Sequence, residues 1–192
     1  EGEVFFKGER IGKNREKFQI LKFVTMVKDS PNIGTGTLTV GDDPRILPLG
    51  KYLRNWKINE LPQLLNIFFG QMSIVGPRPQ SVRNFNAFLN HVQDSISKER
   101  PGLTGIGSLF FRNEEFMLAA SRDPDQSYDN IIMPYKGELE LWYSDNQSIF
   151  LYFKLIWLTA HMVVFSKNLD LFLSVPNLPK PKSELLELLD NL

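Results

Sequence analysis

Residues 149–165, IFLYFKLIWLTAHMVVF, are apolar apart from Lys154, Thr159 and His161, and they constrain the fold more than any other stretch. A helix that is greasy on nearly every side has to be covered, by protein or by lipid. At about 1.5 Å per residue the segment lies near the lower limit for crossing a bilayer. Lys154 falls inside it, which argues against a simple span. We read it as a helix buried in a core or lying at a membrane interface. The chain has 192 residues, enough for one domain with a core of ordinary size.

The charge balance removes one class of partner. With 22 basic and 22 acidic residues the net charge is zero, so overall charge gives no reason to expect nucleic acid. There is no cysteine, which excludes disulfides, zinc–thiolate sites and thiol catalysis. The two histidines, His91 and His161, are far apart in sequence. That argues against a His-rich metal site and against a Ser-His-Asp triad built on a local motif. Fifteen phenylalanines are many for this length. They suggest a core together with surface that faces lipid or a partner.

Residues 4–10 and 17–26 are rich in Phe, Val, Ile and Thr, and IGKNREK between them carries turn residues. This predicts a β-hairpin. Residues 30–45 read as loop, and 46–56 as a short helix entered near Pro48. Asn59 then suits a helix N-cap, with Glu60 in the first turn, where a negative charge favours the dipole. Leu61, Leu64, Leu65 and Phe68 recur at helical spacing, and Gly70 is a natural stop. Pro77 and Pro79 bracket Arg78 and forbid helix there. Residues 81–98 look helical, 100–108 read as a glycine-punctuated loop, and helices follow near 110–120 and 134–145. VPNLPKPK is expected to be a linker, followed by a short amphipathic helix with a Ser cap. The expected class is α+β: a mostly helical, membrane-associated single domain with a short N-terminal hairpin. Its boundaries are set at 1–170, with 171–192 as linker and terminal helix.

Three features carry chemistry, each with a plainer alternative. Glu60 is either a helix-capping charge or a ligand for a hard cation such as magnesium, which takes carboxylate and phosphate oxygens together. Arg78 is either a solvated turn residue or a guanidinium fork presented to phosphate by its flanking prolines. GLTGIGS lets backbone amides approach an anion, but it lacks the lysine of a P-loop. His161 suits a hydrogen-bonded spacer better than a metal ligand.

Four segments, taken in order, resemble the bacterial sugar transferase family, the monotopic phosphoglycosyl transferases of glycan assembly. They are VFFKGERIGKNREKFQILKFVTM, DDPRILPLGKYLRNWKINELPQLLNIFFGQMSIVGPRP, RPGLTGIGS and YSDNQSIFLYFKLIWLTAHMVV. The likeness covers residues 2 to about 165 and is most specific from Asp43 to Pro79. It implies transfer of a sugar-1-phosphate from a nucleotide diphosphate sugar to a polyprenyl phosphate, at the cytoplasmic face of the inner membrane. It also implies Mg²⁺ as cofactor, a membrane surface as partner, no nucleic acid, and room for a homo-oligomer. The family carries a re-entrant hydrophobic helix just before VFF, which these residues do not include.

In the family an Asp-Glu dyad supplies the nucleophile and the metal carboxylate. The matching pair here is Asn59-Glu60. Glu60 keeps the metal role that the resemblance implies, whereas a neutral carboxamide is a far poorer nucleophile than a carboxylate. Loss of a covalent nucleophile can cost roughly 10⁶ in kcat. The family's KFRTM reads KFVTM, so Val24 stands where an arginine is expected. Lys22, Arg54, Arg78 and Arg100 remain as partners for the diphosphate. Two readings stay open. One is an enzyme in which another nucleophile, or direct attack by the lipid phosphate, supplies the chemistry. The other is a member with lost or impaired catalysis that binds nucleotide sugar or a glycan-assembly partner.

Overall fold

In a computed structural model the described residues are 2–34, 39, 43–165 and 170–190. Strand β1 (Phe5–Ile11) pairs antiparallel with β2 (Lys17–Phe23), in a register that sets Arg10 opposite Phe18 and Phe6 opposite Lys22. The hairpin closes through Asn14 and Arg15, both left-handed with φ of 56° and 62°. On β2 the inward positions alternate as period two demands: Phe18 and Ile20 are buried and Lys22 continues the same face. Residues 35–38 and 40–42 of the stretch expected to be loop lie outside the described residues; after them α1 (Pro48–Asn55) starts with its proline in the first turn, as the sequence predicts.

The segment after α1 departs from expectation. Asn59 does not cap a helix. Lys57 turns left-handed at φ 56°, Ile58–Glu60 form one 3₁₀ turn, and α2 runs only over Gln63–Phe68. Asn59 is buried inside that 3₁₀ turn, so its side chain is not at a helix mouth. Helix α2 is also inside out. Gln63 and Asn66 are buried, whereas Leu61, Leu64, Leu65, Phe68 and Phe69 are exposed, Phe68 at 82%. Asn66 accounts for the inversion. Its Oδ1 accepts from the Leu21 N–H at 3.0 Å, and its Nδ2 donates to the Gln19 carbonyl at 2.8 Å. One side chain thus satisfies two main-chain groups on the free edge of β2. The helix ends at Gly70, which takes φ 74°.

Strand β3 (Ser73–Val75) pairs parallel with β4 (Gly102–Thr104), a second small sheet whose β4 lies in the stretch expected to be loop. The glycines of 102–105 serve close packing: a Cβ on Gly102 would lie 2.2 Å from the Gly76 nitrogen. Two helices, α3 (Val82–Ala87) and α4 (Asn90–Ile96), replace the single helix expected over 81–98. Then follow α5 (Ile106–Phe110), α6 (Glu114–Ala119), α7 (Pro124–Ser127) and α8 (Met133–Asp145). Between α7 and α8 the chain widens into a π turn over Tyr128–Ile132. Pro134 explains the widening, since it has no N–H and its ring crowds the carbonyl one turn back.

The apolar segment forms α9 (Ile149–Phe165). Leu151, Leu155, Leu158 and Met162 are buried in the main core, while Ile149, Phe150, Phe153 and Trp157 stay exposed. It is therefore a core helix with one bare flank. Among the described residues no helix is long and apolar enough to cross a membrane. His161 makes no hydrogen bond through Nδ1, contrary to the spacer reading, and instead lies between the rings of Trp157 and Phe165. The last elements, α10 (Leu171–Ser174) and α11 (Ser183–Asp190), pack on the same core through Leu171 and Leu185. Between them the proline-containing stretch buries Leu178, and the Tyr135 hydroxyl donates to the Pro179 carbonyl at 2.6 Å.

The inversion of α2 gives an unusual mutational contrast. Leu64→Ser should change unfolding free energy by no more than about 0.5 kcal/mol. Asn66→Ala should cost about 1–3 kcal/mol, because it strands buried main-chain groups. Urea denaturation monitored by circular dichroism would measure both.

Candidate functional site

The ends of three elements meet at Glu60. From β2, the Lys22 Nζ lies 3.0 Å from Glu60 Oε1, and both side chains are largely covered. From the 3₁₀ turn come Asn59 and Glu60 themselves, with Lys57 just before them. From the Pro77–Pro79 segment comes Arg78, whose charge also lowers the Glu60 carboxyl. Arg10, on the same hairpin face, adds a further cation coupled to Lys22 and Arg78. The sequence reading named Lys22, Asn59, Glu60 and Arg78, and the fold gathers them. It missed Lys57 and Arg10. Pairing Arg10 opposite Phe18 was the signal for the latter, because cross-strand neighbours share a face.

Arg54 and Arg100 stand apart. Arg54 pairs with Glu115 at 3.1 Å, which ties α1 to α6 and leaves Arg54 adjoining the cluster through a carboxylate that also acts on Lys57. Arg100 is exposed beyond α4, and no described hydrogen bond or ion pair links it to Glu60.

The cluster carries more positive charge than it neutralises. Burial pushes the Glu60 carboxyl up, but Lys22, Arg78 and Lys57 overcome this and hold it down at about 2. Glu60 is thus ionised throughout the physiological range. Three of the cations are shifted against their charged form. Burial lowers Lys22, Lys57 and Arg10, and in each case the charge of Arg78 lowers it further. Burial also disfavours charge on Arg78, but Glu60, Glu114 and other anionic neighbours raise it overall. Arg78 is exposed, so solvent screens part of this attraction. Four cations crowd one central carboxylate, and an added anion would relieve their mutual repulsion.

Two oxygens on adjacent residues bear on metal binding. Asn59 Oδ1 is buried without a hydrogen-bond partner, and Glu60 Oε2 takes no described hydrogen bond. Among the described residues no group of three or more His, Asp and Glu could cage an ion. The pair suits a cation that keeps most of its ligands as water and phosphate oxygens, which is the habit of magnesium.

Behind Arg78 lies a buried layer that the sequence reading did not anticipate. Lys136 on α8 pairs with Glu114 and stacks over the rings of Tyr128 and Phe111, 4.8 and 5.2 Å from their centroids. Glu140, one turn further along α8, is fully buried. The Tyr128 hydroxyl accepts from Asn84 Nδ2 at 2.8 Å, and burial raises its pKa.

With this geometry in view, the chain's relatives can be placed. Residues 1–166 match the bacterial sugar transferase family, and the chain belongs to it. It is 32% identical over 167 residues to the uncharacterized sugar transferase EpsL of Bacillus subtilis, covering 87% of this chain and 73% of that one. It is 36% identical over 127 residues to the exopolysaccharide production protein ExoY of Sinorhizobium fredii, covering 59% of this chain and 56% of that one. It is 32% identical over 172 residues to the undecaprenyl-phosphate glucose phosphotransferase of Komagataeibacter xylinus, covering 87% of this chain but only 30% of that protein.

The Glu60 cluster has a measurable signature. The folded carboxyl sits below its ordinary value of 4.5, so its stabilising contribution is complete above that pH and fades as pH falls toward 2. Carboxyl ¹³C NMR should find Glu60 titrating near that lower limit. Lys22→Met should move the titration upward, because burial is then opposed by fewer cations.

Proposed function

We propose that the chain transfers a sugar-1-phosphate from a nucleotide diphosphate sugar to a polyprenyl phosphate, as an early step of glycan assembly. The observation that carries this reading is the cationic cluster around an ionised Glu60 in a chain of this family. A diphosphate answers that surplus of positive charge. Lys22 and Lys57 act as point charges, and Arg78 offers a planar fork for two phosphate oxygens. Mg²⁺ would be held by Glu60, with Asn59 Oδ1 beside it, and would supply charge neutralisation on the phosphates.

Asn59 shapes the reaction. A carboxamide forms no phosphoryl-enzyme, so the lipid phosphate oxygen attacks the sugar-bearing phosphorus directly. The bond to the bridging oxygen breaks, and the nucleoside monophosphate leaves with that oxygen. Such a step needs alignment and charge neutralisation more than covalent help. With such a lipid as acceptor, the reaction we propose takes place at the cytoplasmic face of the inner membrane. The bare rows of Leu61, Leu64, Leu65, Phe68 and Phe69, and of Ile149, Phe150, Phe153 and Trp157, suit the aromatic-rich boundary of a bilayer.

A second reading, binding of nucleotide sugar without turnover, is favoured by the absent carboxylate at 59 and by Val24, where the family has arginine. A panel of radiolabelled nucleotide sugars with undecaprenyl phosphate in detergent separates the two. Under the first reading the wild-type protein forms labelled lipid, and Asn59→Asp raises the rate by at least about 10² as a covalent route opens. Silence from the wild type together with activity in Asn59→Asp would leave binding as its role.

A further inference from the structure

Glu140 is a buried carboxyl with no salt bridge among the described residues. It is 2% exposed, and burial pushes its pKa up to about 7 against the pull of the Arg78 N–H, Lys136 and Arg78. Lys136, one turn earlier on α8, gives its ammonium to Glu114 instead. Tyr143, one turn later, adds no positive charge. Glu140 Oε2 has no hydrogen-bond partner, and Oε1 accepts from the Arg78 N–H at 3.3 Å.

That N–H has a particular standing. Neither Pro77 nor Pro79 has one, so Arg78 carries the sole main-chain donor of the three-residue segment. The segment is clamped from both sides: the Gly102 N–H donates to the Pro77 carbonyl at 2.8 Å, and Glu140 receives the Arg78 N–H. Gly107 leaves room for the second clamp, because a Cβ there would lie 2.6 Å from Glu140 Oε1. With φ fixed at both prolines, these two bonds restrain the main chain from which the Arg78 side chain departs. Its Nη1 lies 3.5 Å from Ser108 Oγ, and its charge acts on Glu60.

We propose that Glu140 is a positioning residue that holds the Arg78 main chain and so aims the Arg78 guanidinium at the diphosphate of the bound ligand. The proposal rests on the reading of the cluster as a diphosphate site. It assigns a job to a carboxylate that is otherwise costly to bury, since an unpaired buried acid is destabilising unless something holds it there.

The test uses magnesium pyrophosphate as probe and isothermal titration calorimetry on the whole chain. Glu140→Leu should weaken binding about tenfold, the cost of a misplaced charged contact. In an Arg78→Ala background the same change should cost nothing further, as expected when one residue acts through the other. Glu140→Gln keeps an acceptor opposite the N–H and should bind within about threefold of wild type. Gly107→Ala, which pushes the carboxylate away, should reproduce the loss and remains informative if Glu140→Leu does not fold. Equal losses from Glu140→Leu with and without Arg78 would overturn the proposal, and so would wild-type affinity in Gly107→Ala. Wild-type protein that fails to bind pyrophosphate removes the diphosphate site and the positioning role together. Binding with an additive cycle removes the positioning role alone.

Discussion

The contact of Asn66 with the edge of β2 underlies both the surface and the site. A six-residue helix with four large apolar side chains would ordinarily turn them inward. Here the free main-chain groups of Gln19 and Leu21 must find partners, and one amide side chain satisfies both. The polar face of α2 is thereby the buried one. The preceding 3₁₀ turn is held against β2 as a result, and Glu60 arrives beside Lys22. A short polar contact thus sets the bare leucine and phenylalanine row and the charged cluster in fixed relation to the same strand.

The cluster is electrostatically unfinished in a way that ordinary ion pairs are not. Lys17 with Glu9, or Arg15 with Asp94, are exposed one-to-one pairs that contribute little. Around Glu60 the cations outnumber the central carboxylate, and three of them, Lys22, Lys57 and Arg10, are depressed by burial and by the charge of Arg78. Such an arrangement lowers the stability of the free protein and favours anion binding, which is the usual relation between strain and function.

Much of this was legible in the sequence. Two runs rich in Phe, Val, Ile and Thr around a turn-forming link identified the hairpin, Pro48 marked the start of α1 and Gly70 the end of α2, and the nearly unbroken apolar run marked α9. The grouping of Lys22, Asn59, Glu60 and Arg78 was visible only through the family resemblance, since four separate segments contribute. The orientation of α2 was not legible, because leucines at helical spacing look alike whether they face a core or not. Only the hydrogen-bonding needs of a neighbouring strand decide it. The glycines of 102–107 likewise read as loop, although their use is to let main chain and the Glu140 carboxyl come close. Buried Lys136 and Glu140 lie on a helix whose sequence has no clear amphipathic stripe, so nothing local marked them as interior.

The π turn at Tyr128–Ile132 has a geometric consequence for that helix. Widening one turn inserts an extra residue, which shifts the phase of everything downstream by about 100°. Lys136 and Glu140 reach Glu114 and the Arg78 N–H only in that shifted phase. Pro134, by preventing the turn from tightening, therefore acts as a rotational stop: a proline outside the charged cluster fixes which side of α8 looks toward it.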